Sequence, residues 1–222
     1  PGGADGDWMK VSTSGVAEKD QKGRLCSIFE GNGKSGVDYV SLLPAMTGGD
    51  PDKYRNGKFS PRFVEVLKYC HPSFLRFPGG CVVEGDVAFQ YQYKWRNTVG
   101  PLEQRKQIPN VWRYMQSYGI GFYEYFCLCE DLKMAPLPVL HCGLLCQIRM
   151  GEQRKTGYQR IMPGTSEFQT EVIDNVADLI FFAKGDVSSS DANESHWAKV
   201  RADMGHPEPF ELEYIGLSLI QL

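Results

Sequence analysis

The sequence lacks any long uninterrupted hydrophobic run. Its 222 residues are 42% hydrophobic, but Lys, Glu or Asp breaks the longest apolar stretches well below the roughly 20 residues of a membrane-spanning helix. It also lacks an excess of positive charge, since 24 Lys and Arg stand against 27 Asp and Glu. These absences argue against a membrane protein and against a nucleic-acid-binding protein. The composition predicts a globular protein with a neutral or small partner.

The cysteines lack the paired Cys-x-x-Cys spacing of a zinc site. Cys127 and Cys129 are two apart on a predicted helix, so their side chains point in different directions and make a poor metal clamp. The pattern favours buried thiols that pack as small hydrophobic groups, with no metal and no cofactor. The full set is Cys26, Cys70, Cys81, Cys127, Cys129, Cys142 and Cys146.

The composition changes near residue 46. Before it, Gly, Ser, Asp and Lys are frequent, and residues 8–11 and 25–29 are short strand candidates. After it, helix and strand patterns alternate, which favours parallel βα units. We therefore expect residues 1–45 to be the end of a β-domain and residues 46–222 to be an α/β domain.

The α/β region contains three predicted strands, at 74–77, 137–140 and 212–217. Helices are predicted to begin at Ser60 and Pro61, to cover 112–132 and to cover 171–183. An eight-stranded (β/α)8 barrel needs roughly 250 residues. The pattern therefore predicts an α/β fold that is a partial (β/α)8 TIM barrel, with about three barrel strands.

Residues 74–86, FLRFPGGCVVEGD, are the most informative segment. A buried strand that stops at Pro-Gly-Gly places Arg76 and Cys81 near its carboxyl end, where parallel α/β proteins bind ligands. Gly79 and Gly80 permit positive φ angles and a close backbone approach to a ligand, although a structural turn explains them equally well.

Several further motifs follow in a fixed order. They are residues 93–101 (YKWRNTVGP), 102–105 (LEQR), 117–125 (SYGIGFYEY), 130–132 (EDL), 136–140 (PLPVL) and 201–210 (RADMGHPEPF). With the segment at 74–86, this series resembles the α-L-arabinofuranosidases of glycoside hydrolase family 51, over about residues 36–217. The resemblance is especially to the plant and bacterial type, which has a carbohydrate-binding-like β-domain inserted near the start of the barrel.

The resemblance implies a retaining, secreted glycosidase that removes terminal α-L-arabinofuranosyl units from arabinan and arabinoxylan with two carboxylates about 5 Å apart. In the family the acid/base is the Glu of an Asn-Glu pair after the fourth barrel strand. Here those positions are Leu219 and Ile220, which cannot transfer a proton. The nucleophile belongs to a later strand that this sequence does not reach. We therefore expect no catalytic residue in the chain and no activity from the chain alone.

The resemblance also assigns substrate-binding residues. Arg76 matches an arginine that orients the nucleophile, and its alternative role is a salt bridge at the rim. Cys81 stands where the family has Cys or Asn against arabinose hydroxyls, although alone it would be read as a core thiol. Trp112 resembles an aromatic beside the furanose ring and is otherwise an ordinary tryptophan at a helix start. Gly79 and Gly80 complete the predicted site.

Other polar residues receive structural interpretations. We expect Glu84 and Asp86 to be solvated, and the same holds for Glu130 and Asp131 at a helix end. His141 ends a strand where relatives commonly have Asn, which leaves a polar role in the site open. His206 is expected to fix the loop before the third strand, and the sequon at 193–195 is expected in a polar loop.

Two functional hypotheses remain open. The first is a truncated or misspliced fragment of an arabinofuranosidase, whose partner is an arabinose-containing polysaccharide or oligosaccharide. The second is a non-catalytic carbohydrate-binding or regulatory remnant of the same family. Because a half barrel exposes strand edges, both imply an oligomer or a missing C-terminal half. An α/β domain of unrelated function would require the ordered motifs to be coincidental.

Overall fold

The computed structural model describes residues 59–85, 91–110, 112–146 and 160–218, together with scattered positions between 9 and 40. The chain separates into two units, Pro1–Asp38 and Tyr39–Leu222. Described positions of the two early strand candidates, such as Met9 and Ile28, lie in no regular element. The expected boundary near residue 46 lies outside the described residues, so the division into 1–45 and 46–222 stays a prediction.

The described strands are β1 (Phe74–Pro78), β2 (Ile108–Pro109), β3 (Met115–Gln116), β4 (Ala135–His141) and β5 (Gly216–Ser218). Strands β1, β4 and β5 form a parallel sheet in the order β1-β4-β5, and β2 pairs with β3 in a separate antiparallel hairpin. In register, Arg76 lies opposite Leu137 and Val139 lies opposite Gly216. The α/β fold and the first two predicted strands are confirmed.

The described helices are α1 (Pro61–Cys70), α2 (Cys81–Glu84), α3 (Phe122–Leu132), α4 (Ser166–Phe168), α5 (Asp174–Lys184) and α6 (Ala192–Asp203). A π-helical segment, Gln169–Ile173, joins α4 to α5, and 3-10 helices occupy Trp95–Thr98 and Leu102–Gln104. The predicted helix over 171–183 is confirmed within this longer helical stretch. The sequon at 193–195 lies in the first turn of α6, so its placement in a loop was wrong.

Helix α1 begins as its sequence predicts. Ser60 is the N-cap residue and Pro61 takes the first position, where its missing N–H and fixed φ cost the helix nothing. Val64 is fully buried on the inner face. The helix ends at His71, whose φ of 48° is left-handed.

The predicted helix over 112–132 is wrong in its first half. Asn110 Oδ1 accepts a hydrogen bond from the backbone N–H of Trp112 at 2.9 Å, which forms a turn between β2 and β3. Arg113 and Tyr118 then adopt left-handed φ angles of 68° and 53°, which an α-helix does not tolerate. The aromatic spacing predicted one helix, but α3 starts only after Gly121.

The predicted third strand, 212–217, is also displaced, to Gly216–Ser218. Just before this segment, the backbone N–H of Phe210 donates to the carbonyl of Ala183 at 2.7 Å and ties the chain to α5. Leu212 is buried in the core without joining the sheet. An apolar run shows that a segment is buried, but it does not show whether that segment forms a strand.

The core is aromatic and fixes β1 against α3. Phe77 meets Phe122 edge-on with ring centres 5.1 Å apart, and Phe126 stacks on Phe210 at the same separation. Trp95 Nε1 donates to the carbonyl of Asn175 at 3.0 Å and joins the 3-10 segment to α5. This packing holds the carboxyl ends of the three parallel strands along one edge. No helix in the described ranges is both long and apolar enough to cross a membrane.

The cysteines are less uniformly buried than expected. Cys127, Cys129 and Cys146 are buried, whereas Cys81 and Cys142 are half-buried. The remaining two, Cys26 and Cys70, are exposed. The interpretation of most cysteines as core thiols is therefore right for three of the seven.

Candidate substrate-binding site

Arg76 and the turn that follows it form one compact unit at the carboxyl end of β1. The Arg76 side chain is exposed, and it forms no ion pair within the described part of the chain. Its guanidinium lies over Gly79, because a Cβ added at Gly79 would be 2.5 Å from Arg76 Nη2. A positively charged, exposed group therefore sits directly above a glycine backbone.

The two glycines are required by the turn itself. Gly79 and Gly80 have φ angles of 68° and 63°, in the left-handed region that side chains other than glycine rarely adopt. A Cβ at Gly80 would meet nothing within 4 Å. A glycine is therefore required at position 80 only by its φ angle, whereas Gly79 also makes room for the arginine.

Helix α2 turns two of its side chains toward the neighbouring strand ends. Cys81 is half-buried at its start, and Glu84 is 3% exposed at its end. Glu84 Oε1 accepts a hydrogen bond from Ser218 Oγ at 3.0 Å. The expectation of a solvated Glu84 is therefore wrong, because the short helix folds inward at the edge where β5 also ends. Asp86 lies outside the described residues.

The end of β4 contributes His141 and Cys142. His141 is buried, and its Nδ1 accepts a hydrogen bond from the backbone N–H of Gly143 at 3.2 Å. Burial, together with the positive charge of Lys94, lowers the His141 pKa to about 4, so the imidazole is neutral near pH 7. The Cys142 thiol donates to the Ser218 carbonyl at 3.1 Å, and burial raises its pKa.

An ion pair lies close to His141. Lys94 Nζ donates to Glu171 Oε2 at 2.7 Å and connects the segment after α2 to the π-helical segment. Burial opposes ionisation of Glu171, but the hydrogen bond and charge of Lys94 outweigh it and lower the Glu171 pKa. The charges near the neutral histidine are thus paired with each other.

Three potential metal ligands converge at the same edge. Cys81 Sγ, a carboxylate oxygen of Glu84 and Cys146 Sγ all lie within 4.8 Å of one another. Sequence reasoning missed Glu84, Cys142, Cys146 and Ser218 as residues of one cluster. The available signal was position, since each of them follows the end of a predicted parallel strand.

The other predicted residues lie elsewhere in the chain. Trp112 lies 45% exposed in the turn between β2 and β3, not at a helix start, and its contact with a sugar stays a prediction. Leu219 and Ile220 lie outside the described residues. Glu130 is not simply solvated, because its Oε2 lies 2.9 Å from His206 Nε2. His206 Nδ1 also meets the Glu208 carbonyl at 2.6 Å, which supports its expected role in fixing that loop.

A separate open groove of about 600 Å³ lies along α6 and the 3-10 segments. Its lining includes Tyr123, Trp197 and Met204. Neither Arg76 nor Cys81 lines it. The carboxyl edge of the parallel sheet, which gathers polar and charged groups, is therefore the better candidate for the site.

Comparison with known proteins gives a consistent result. The family model described as "Alpha-L-arabinofuranosidase 1 domain" matches residues 66–218. The extracellular exo-α-L-arabinofuranosidase of Streptomyces chartreusis is 34% identical in an alignment 224 residues long, gaps included, that covers 95% of this chain and 24% of the relative. α-L-Arabinofuranosidase 2 of Arabidopsis thaliana is 35% identical over 199 residues, which cover 89% of this chain and 26% of the relative.

A solved structure agrees with the sequence matches. The arabinose-bound MgGH51 α-L-arabinofuranosidase superimposes with a TM-score of 0.59 at 29% identity, over 73% of this chain and 23% of that chain. The chain thus spans about a quarter of the length of the relatives it matches. Because the family model covers most of the sequence and the fold agrees, the chain belongs to the α-L-arabinofuranosidases of glycoside hydrolase family 51.

Proposed function

We propose that this chain supplies part of the arabinose-binding wall of a retaining α-L-arabinofuranosidase, which removes terminal non-reducing arabinofuranosyl units from arabinan or arabinoxylan. The observation that carries the proposal is the turn from Arg76 to Cys81. It presents an exposed guanidinium over Gly79 and a half-buried thiol at the carboxyl edge of a parallel sheet. Relatives named as α-L-arabinofuranosidases, and an arabinose-bound structural neighbour, support this substrate class.

Each residue has a distinct role in this proposal. The Arg76 guanidinium donates hydrogen bonds to the sugar hydroxyls and, in a whole protein, charge-assisted hydrogen bonds to the carboxylate nucleophile supplied by another part of the barrel. The Cys81 thiol and the backbone at Gly79 and Gly80 face the sugar hydroxyls, and Trp112 packs against the furanose ring. No carboxylate stands at positions 219 and 220, where the resemblance places the acid/base pair.

We further propose how this region is organised in a whole protein. The three-stranded sheet is a sector of a (β/α)8 barrel, and residues 1–45 are the last strands of a carbohydrate-binding-like β-sandwich. The extracellular Streptomyces relative supports secretion. Asn-Glu and later strands encoded downstream in the transcript would favour an enzyme fragment over a non-catalytic remnant, and a stop after Leu222 in every transcript would favour the remnant.

A chromogenic assay tests whether the chain alone hydrolyses an arabinofuranoside. The purified 222-residue chain is incubated with 4-nitrophenyl α-L-arabinofuranoside, and release of 4-nitrophenol is followed by absorbance. We expect no release above the buffer control, because the chain has no general acid at position 220. Sustained release that survives repurification of the chain would contradict this.

Calorimetry with arabino-oligosaccharides tests the binding wall. We expect measurable heat at millimolar sugar, and loss of that heat in Arg76→Ala but not in Arg62→Ala, an exposed arginine on α1. Gly79→Ala and Gly80→Ala each place an alanine at a positive φ, at a cost of about 1–3 kcal/mol. Only Gly79→Ala displaces the guanidinium, so it alone should also weaken binding. Absence of heat in the wild-type chain would leave no sugar-binding function for this segment.

A further inference from the structure

We propose that Cys81, Glu84 and Cys146 form a zinc-binding site at the carboxyl edge of the parallel sheet. We call these three residues the thiol–carboxylate cluster. The proposal goes beyond the sugar-binding function and does not rest on it. Both use Cys81, so a bound cation takes up the thiol that otherwise faces the sugar hydroxyls.

The geometry of the cluster suits a small tetrahedral cation. Its two sulfur atoms and one carboxylate oxygen lie within 4.8 Å of one another. Zn²⁺ binds thiolate sulfur at about 2.3 Å and carboxylate oxygen at about 2.0–2.2 Å, so two ligand atoms on one ion are roughly 3.5–4 Å apart. Side-chain movements of less than about 1 Å therefore bring the three atoms to coordination distance.

The fold holds the cluster from two sides. Cys81 and Glu84 are three residues apart on α2 and so project from the same side of its single turn. Cys146 comes from the segment after β4, the strand that pairs with β1. The hydrogen bond from Ser218 Oγ orients the Glu84 carboxylate, as outer-shell partners do in metal sites.

The donor set selects the cation. Two thiolates and one carboxylate favour Zn²⁺ or Cd²⁺ over Mg²⁺ and Ca²⁺, which prefer all-oxygen sites. As each metal–sulfur bond forms, the thiol loses its proton to solvent, so binding releases protons without any oxidant. Glu84 and Cys146 are buried and Cys81 is half-buried, so the cation approaches from the side of Cys81.

Titration of the full chain with Cd²⁺ tests the site, because Cd²⁺–thiolate bonds absorb in the ultraviolet. The chain is kept reduced with a phosphine. We expect saturation at one Cd²⁺ per chain, displacement by Zn²⁺, and loss of the band in Cys81→Ser and Cys146→Ser. Ser218→Ala should weaken binding about tenfold, as loss of an outer-shell partner does.

Two control variants test whether the ultraviolet Cd²⁺–thiolate absorption band comes from the thiol–carboxylate cluster. Cys142→Ser changes a thiol that is half-buried like Cys81 but donates to the Ser218 carbonyl, and Cys70→Ser changes an exposed thiol on α1. Both should bind Cd²⁺ as the wild-type chain does. Circular dichroism checks that each variant folds. Because Cys146 is fully buried, Cys146→Ser could fail to fold, and in that case Cys81→Ser alone tests the site. Absence of a saturable band, or a band that persists in Cys81→Ser, overturns the proposal.

Discussion

The histidine at the end of β4 is kept neutral by its surroundings. His141 is 3% exposed, and Lys94 and Arg96 add positive charge nearby, while Glu171 partly offsets them. Its pKa falls from 6.5 to about 4. The neutral ring accepts the Gly143 N–H at Nδ1, so its proton lies on Nε2.

This shift predicts a stability that depends on pH. The unfolded chain binds a proton at His141 below about pH 6.5, whereas the folded chain binds it only near pH 4. In that window the unfolded state holds more protons, so the free energy of unfolding should fall as the pH decreases, by up to about 3 kcal/mol. Urea unfolding from pH 7 to pH 4 measures this.

Two variants test whether His141 causes this pH dependence of the free energy of unfolding. His141→Asn keeps an acceptor for the Gly143 N–H but removes the titration, so its unfolding free energy should depend less on pH. The exposed His196→Gln should keep the wild-type dependence. Parallel curves for the wild type and His141→Asn would show that His141 does not cause the effect.

At the scale of the element, α3 starts at a buried ion pair. Arg105 Nη2 donates to Glu124 Oε1 at 2.9 Å and Nη1 donates to Oε2 at 3.0 Å, with both side chains at most 1% exposed. Glu124 Oε2 also accepts the Gly121 N–H at 2.8 Å, and Arg105 reaches the Tyr118 carbonyl at 2.9 Å. The pair therefore fixes where the preceding segment stops and the helix begins.

We expect Arg105→Met to lower the free energy of unfolding by about 3–5 kcal/mol, because it leaves the Glu124 charge buried without this partner. Lys199→Met removes an exposed pair with Asp203, at 67% and 63% exposure, and should cost less than about 0.5 kcal/mol. Urea unfolding at neutral pH measures both. If both variants lowered the free energy of unfolding equally, the buried Arg105–Glu124 pair would not stabilise the fold more than the exposed pair does.

The elements also show where sequence patterns are sufficient. Pro61 and the Pro-Gly-Gly turn act within a few residues, so α1 starts and β1 stops where their sequences predict. The hairpin at 108–116 depends on the Asn110 side chain and on left-handed residues such as Arg113. Because the aromatic residues there also recur at helical spacing, the sequence pattern predicted one long helix instead of a hairpin followed by α3.

At the scale of the whole molecule, the described sheet has two outer strands, since β1 and β5 each pair with β4 on one side only. Apolar side chains on α1 and at the start of β1 are exposed: Phe63 at 52%, Val66 at 56%, Tyr69 at 86% and Phe74 at 57%. Edges and apolar patches of this kind promote association. The sequence-based expectation of an oligomer or a further barrel half stays a prediction.

Sedimentation velocity over a wide concentration range tests this expectation. We expect the sedimentation coefficient of the purified chain to rise with concentration, because association covers the exposed apolar surface. Combined Phe63→Lys and Tyr69→Lys substitutions should reduce the rise, whereas Val187→Lys, at an exposed valine after α5, should not. A monomer at every concentration would remove the case for association.

The sequence by itself determined the family, the parallel α/β arrangement and the turn from Arg76 to Cys81, because these depend on local motifs and on short apolar runs. It also determined that Leu219 and Ile220 carry no carboxylate. Only the tertiary structure decided that Glu84 is buried against Ser218, 134 residues away, and that Cys81 and Cys146 converge on it. The physical reason is that the burial of Glu84 and the pKa of His141 depend on which strand ends become neighbours. Strand pairing in this sheet joins segments that are far apart in the chain.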